Sequence, residues 1–92
     1  MALFVLTCLD KPGSLEVRLA ARPDHLAWVK DQPLKFGGPF LDDAGEMAGS
    51  LMIVETPDLA AAQAFSAADP YTKAGLWGSV DIRRFRVTID NR

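Results

Sequence analysis

Cysteine, histidine and tyrosine each occur once in these 92 residues, as Cys8, His25 and Tyr71. One cysteine excludes an internal disulfide and fits a reducing compartment, so a cytoplasmic location is expected. One cysteine with one histidine gives no basis for a zinc site within the chain, and neither a metal nor an organic cofactor is expected. A charge surplus is also missing: 10 basic residues face 12 acidic ones, for a net charge of −2. That balance supplies no field for nucleic acid, which needs a clear basic excess. No apolar run is long enough to span a bilayer, so no membrane partner is expected. Met1–Leu9 is apolar, yet it has neither a basic leader nor a small-residue cleavage site and does not read as a signal peptide. Repeats, linkers and low-complexity tracts are absent as well.

What is present is ordinary globular material, 49% hydrophobic, in a length that fits one domain over residues 1–92. So small a domain buries a modest core, and self-association is a plausible further source of stability. Ala2–Cys8 is apolar on both alternating faces, as in a buried central strand. Lys11-Pro12-Gly13 signals a turn and Ser14 a helix cap. The helix that follows carries Leu15, Leu19, Leu26 and Val29 at helical spacing as its expected packed face. Pro23 should kink it, or split it near Arg22, because proline cannot donate to the carbonyl of Leu19. Leu34–Phe40 reads as a strand and Leu41–Gly49 as a hairpin loop. Ser50–Glu55 reads as a third strand, apolar on both faces. Thr56-Pro57-Asp58 starts a second helix, with Thr56 as cap and Pro57 in the first helical position. Asp69-Pro70 ends that helix. Trp77–Ile89 is the last strand, and its apolar phase shifts by one residue, which predicts a bulge near Arg83-Arg84.

The order is βαββαβ: an α+β fold in which two helices cover one face of a four-stranded antiparallel sheet. The other face is then left apolar and open. A second copy is its simplest cover, so a homodimer through the open sheet face is expected.

Arg18, Arg22 and His25 share one side of the first helix. Three such residues suit a small anionic organic ligand beside a proton-transfer group; a solvated basic stripe is the plainer alternative. Asp69 is well placed to cap a short helix beginning at Pro70, and a capped carboxylate can also orient an imidazole. Gly37-Gly38-Pro39 is either a bulge or room for a ligand, and it lacks the signature of a phosphate loop. Cys8, mid-strand among apolar neighbours, reads as a buried structural thiol. The cluster Arg83, Arg84, Arg86 reads as a solvated strand end. Trp28 and Trp77 suit either a pocket wall or a dimer seam.

Several of these segments together resemble the YciI-like (YCII-related) family of small bacterial proteins. They are Arg18-Leu19-Ala20-Ala21-Arg22-Pro23-Asp24-His25-Leu26, Gly37-Gly38-Pro39, and Asp69-Pro70-Tyr71 followed by Ala74-Gly75-Leu76, in the βαββαβ order. The resemblance covers nearly the whole chain. It implies a ferredoxin-like fold assembled as a dimeric α+β barrel, and a His–Asp dyad that falls on His25 and Asp69. Most such proteins have no established reaction; a few resemble dehydrochlorinases of chlorinated lactones, and the same barrel class holds muconolactone isomerases and small monooxygenases. Shared fold is analogy rather than activity.

The expected function is a cofactor-free lyase or isomerase acting on a small organic acid or lactone. His25 would move the proton, and Asp69 would hold its tautomer. Arg18 and Arg22 would bind a carboxylate, with Gly37, Gly38, Pro39 and Tyr71 completing the substrate site. The alternative is a non-catalytic metabolite-binding or accessory dimeric module, or a subunit whose apolar face meets a different protein.

Overall fold

The computed structural model describes all 92 residues. Its elements are β1 (Ala2–Asp10), α1 (Leu15–Val29), β2 (Leu34–Leu41), β3 (Met47–Thr56), α2 (Leu59–Ala68), a one-turn α3 (Pro70–Lys73) and β4 (Trp77–Phe85). The strands lie in the order β2-β3-β1-β4, every neighbouring pair antiparallel. This is the four-stranded antiparallel sheet expected from the element order, in the ferredoxin-like arrangement that the family resemblance implies. No helix is long and apolar enough to cross a membrane.

The two central strands are apolar on both faces for different reasons. Phe4, Leu6 and Cys8 of β1, with Met52 and Val54 of β3, turn to the helix side and form the core with Ala62 and Phe65 of α2. Alanine at position 62 lets α2 sit close to the sheet. Leu3 and Val5 pair with Glu55 and Ile53 on the opposite, uncovered face. Burial pushes the Cys8 thiol up to about 12, and the charge of Asp69 adds to the rise. The thiol is therefore neutral and part of the packing.

Several boundaries differ from the sequence expectation, each for a local reason. The β2–β3 loop is only residues 42–46, not 41–49. Asp42 closes it tightly: its Oδ1 accepts from the backbone N–H of Ala44 and Glu46, and Gly45 supplies the positive φ of 81°. Met47–Gly49 then pairs as strand although its composition is loop-like. The cap of α2 is Asp58, whose side chain accepts from the Ala61 N–H at 2.9 Å. Thr56 is unavailable for that role because it is still paired with Ala2 in the sheet. Ser14 occupies the cap position of α1 but makes no side-chain capping bond. Pro23 does not divide α1, which runs as one helix through it.

The expected bulge near Arg83-Arg84 is absent; the irregularity lies at Leu9/Asp10, opposite Trp77–Ser79. The apolar phase shift in the last segment has another cause. Val80 and Ile82 pair with Cys8 and Leu6 on the helix side, whereas Phe85 pairs with Leu3 on the open side. The apolar pattern changes face rather than register. Pairing stops at Phe85, opposite Leu3 near the start of β1, and Val87 and Ile89 continue beside Leu3, Phe36 and Ile53 of the open face. Arg83, Arg84 and Arg86 are exposed, and Arg83 pairs with Asp81 at 2.7 Å.

The inner side of α1 is not the leucine stripe. Leu19 and Leu26 are 50% and 43% exposed, while Arg18 and His25 are buried. Polar side chains can take the inward positions because each finds a partner there.

Candidate active site

A pocket of about 240 Å³ lies between α1 and the strands β2 and β3. Arg18, Arg22, His25, Gly37, Gly38, Pro39 and Tyr71 all line it. These are seven of the eight residues singled out from the sequence, and the eighth, Asp69, stands directly behind His25. An apolar cavity of about 150 Å³ holds benzene. The space here therefore suits one substituted ring or a short acid. Leu26, Val29, Leu34, Met47 and Met52 give it apolar walls.

His25 Nδ1 lies 2.8 Å from Asp69 Oδ1, within the one chain. The same Oδ1 accepts the backbone N–H of Tyr71 at 2.9 Å, as the cap of α3. Capping and imidazole binding are thus performed by a single oxygen. Asp69 is fully buried, and its Oδ2 has no hydrogen-bond partner. A buried carboxylate accepts from Nδ1–H, which fixes that tautomer and leaves Nε2 with its lone pair. The ring of Tyr71 stacks on His25 at 4.2 Å and 18°. Trp28 lies 6.0 Å from the imidazole, tilted, and packs on Phe65. The imidazole is thereby held in place and in orientation.

Arg18 is placed differently from Arg22. Its Nε and Nη2 donate to Asp10 Oδ2 and Oδ1 at 2.8 and 2.9 Å, and Nη2 also donates to Ser50 Oγ at 3.0 Å. Its guanidinium carbon sits 4.7 Å from the centre of the Tyr71 ring. Arg18 and His25 are seven residues apart, about 10.5 Å along a helix axis, and Tyr71 fills the interval between them. Burial alone would lower the Arg18 pKa, but the hydrogen bonds and charge of Asp10 outweigh it and raise the value. Tyr71 is raised by burial, against the opposing pull of Arg18 and Arg22. Arg22 is exposed at the rim and has no carboxylate partner. Arg22 thus stands unpaired at the rim, while Arg18 lines the pocket already paired with Asp10.

The glycines of β2 divide in function. Gly37 pairs with Met52 and so faces the pocket, where an added Cβ would come 2.9 Å from the Leu51 carbonyl oxygen. Gly38 faces the other way, and a Cβ there would meet nothing within 4 Å. Only Gly37 is required by close approach, and it keeps the floor of the pocket low. Trp28 and Trp77 both lie on the helix side, packed against the core rather than on the open face. The Trp77 indole donates to Thr72 Oγ1 at 2.9 Å and meets Tyr71 edge-on.

Asp10 and Ser50 belong to the site but were not singled out from the sequence. Ser50 has no nucleophile motif around it, and Asp10 reads as the polar end of a strand. The pairing of Cys8 with Ser50 and the irregularity after Leu9 bring both toward Arg18, and neither is visible in composition or spacing.

The family model of the YCII-related domain matches residues 2–86. Protein YciI of Escherichia coli O6:H1 is 38% identical over 94 residues, covering 91% of this chain and 96% of the relative. An uncharacterised protein of Haemophilus influenzae is 34% identical over 90% and 95% of the two chains. Among solved structures, 5-chloro-2-hydroxyhydroquinone dehydrochlorinase (TftG) of Burkholderia phenoliruptrix AC1100, in complex with 2,5-dihydroxybenzoquinone, matches with a TM-score of 0.85. It is 34% identical over 91% of this chain and 93% of that one. With the domain match spanning nearly all of its length, the chain belongs to the YCII-related domain family.

Proposed function

We propose that this pocket carries out proton transfer on a small oxygen-bearing ring or organic acid, in a lyase or isomerase reaction. One observation carries the reading: the only histidine is buried on a pocket wall, bonded through Nδ1 to a buried carboxylate. That arrangement makes Nε2 a general base and lets Asp69 stabilise the imidazolium that forms. Arg22, free at the rim, would hold an anionic substituent. The likeness to the dehydrochlorinase supports a ring-shaped substrate and a departing halide.

The step balances as follows. Nε2 takes a proton from a carbon next to a carbonyl. The C–H electron pair becomes a carbon–carbon double bond, and the carbonyl π electrons move to oxygen. When the oxyanion collapses, a leaving group on the adjacent carbon departs with its bonding pair, and the imidazolium gives its proton to that group or to water, for a net loss of HX. If no leaving group is present, the imidazolium returns the proton at a different carbon and the product is an isomer.

The test is release of chloride, or isomerisation, from chlorinated hydroxyhydroquinones and unsaturated lactones by wild type and His25→Gln. His25→Gln is expected to lose at least about 100-fold in turnover. Equal rates in the two proteins would remove the proposed base. A ligand that stabilises the wild type and is recovered unchanged would favour a binding module instead.

The same reading includes a homodimer built on the open sheet face. Leu3, Val5, Phe36, Leu51, Ile53 and Phe85 present apolar surface there, and no helix covers it. Such a patch is larger than isolated surface hydrophobics and is the usual mark of an interface. Sedimentation of the pure chain at micromolar concentration is expected to give twice the monomer mass; a monomer would contradict it.

A further inference from the structure

Ser50 is a buried hydroxyl that opens on the pocket, and only one of its hydrogen-bonding positions is used. Its side chain is nearly inaccessible, yet it lines the same cavity as His25. Its Oγ accepts from Arg18 Nη2 at 3.0 Å, and its own O–H donates to no protein group. A hydroxyl carries one donor and two lone pairs. With a guanidinium N–H fixed on one lone pair, the O–H bond points away from Arg18 and is free to turn toward the pocket that Ser50 lines.

We propose that Ser50 is the donor that stabilises the oxyanion formed when His25 removes a proton, and that Arg18 and Asp10 are the positioning pair that aims it. This rests on the proton-transfer reading above and adds the group that reading lacks. Removing a proton next to a carbonyl places negative charge on that oxygen. A donor already in position, in a site screened from water, meets the charge without reorganisation. Ser50 is such a donor, and the cation bonded to its oxygen polarises its O–H and strengthens it. The Nε and Nη2 of Arg18 are engaged by Asp10 and Ser50, while Nη1 is engaged by neither. Through Nη2 Arg18 aims Ser50, and Arg22 meets substrate at the rim.

The probe is 4-nitrophenol, whose anion is coloured, so the ionisation of the bound ring can be followed by absorbance as pH is varied. Wild type is expected to favour the bound phenolate. Ser50→Ala is expected to reduce that preference about tenfold, the scale of one charge-assisted hydrogen bond. Ser50→Thr, which keeps the hydroxyl, is expected to retain it. Arg18→Lys, which keeps the charge but loses the two-pronged hold on Asp10, is expected to lose it as Ser50→Ala does. A phenolate preference that is equal in wild type and Ser50→Ala would overturn the assignment, and so would a wild type that takes up neither form. The dyad is tested separately by turnover of His25→Gln. If that variant is fully active while Ser50→Ala still loses phenolate preference, the base is wrong and the oxyanion site stands.

Discussion

Arg18→Met is expected to cost about 3–5 kcal/mol of stability, because it strands a buried carboxylate. The side chains of Arg18 and Asp10 are 2% and 6% exposed, and they meet through two parallel hydrogen bonds. Removing the cation leaves both Asp10 oxygens desolvated and unpaired, and Ser50 loses its donor as well. For a domain of this length each kcal/mol moves Tm by roughly 4–8 °C, so a fall of more than about 10 °C is expected. Arg18→Met combined with Asp10→Leu is expected to recover most of it, since apolar pairs of similar volume often replace buried ion pairs without loss. Thermal melts of the two single variants and the double close the cycle. A single Arg18→Met variant melting within about 2 °C of wild type would show that water, not Arg18, satisfies Asp10.

This pair also marks the limit of what the sequence discloses. The strand Ala2–Cys8 is legible because alternation on both faces is a local property, and pairing merely uses it. Asp69 as a cap is legible for the same reason: Asp-Pro fixes it within three residues. The inner face of α1 is not. Leu15, Leu19, Leu26 and Val29 form the better apolar stripe by spacing, yet Arg18 and His25 are the buried residues. Their burial depends on partners 8, 32 and 44 residues away. A hydrophobic pattern ranks side chains by transfer cost and cannot count hydrogen bonds supplied by distant segments. The last strand shows the same limit in the sheet. Its phase shift is real, but whether it means a bulge or a change of face depends on its register with β1, which runs unbroken from Ser79 to Phe85.

Those long-range partners bear on the largest functional effect expected, that of Asp69→Asn. One oxygen of Asp69 performs two tasks: it accepts the Tyr71 N–H that begins α3, and it accepts from the imidazole. Asparagine caps a helix about as well as aspartate, so Asp69→Asn is expected to melt within a few degrees of wild type. Alanine keeps neither task, and Asp69→Ala is expected to lose about 1 kcal/mol more for the missing cap. Turnover is expected to behave otherwise, falling about 100- to 10,000-fold in both variants, because only a carboxylate stabilises the imidazolium. The imidazole 2.8 Å away is the group within reach of this carboxylate. Unchanged turnover in Asp69→Asn would reduce Asp69 to a cap and leave His25 as an isolated base.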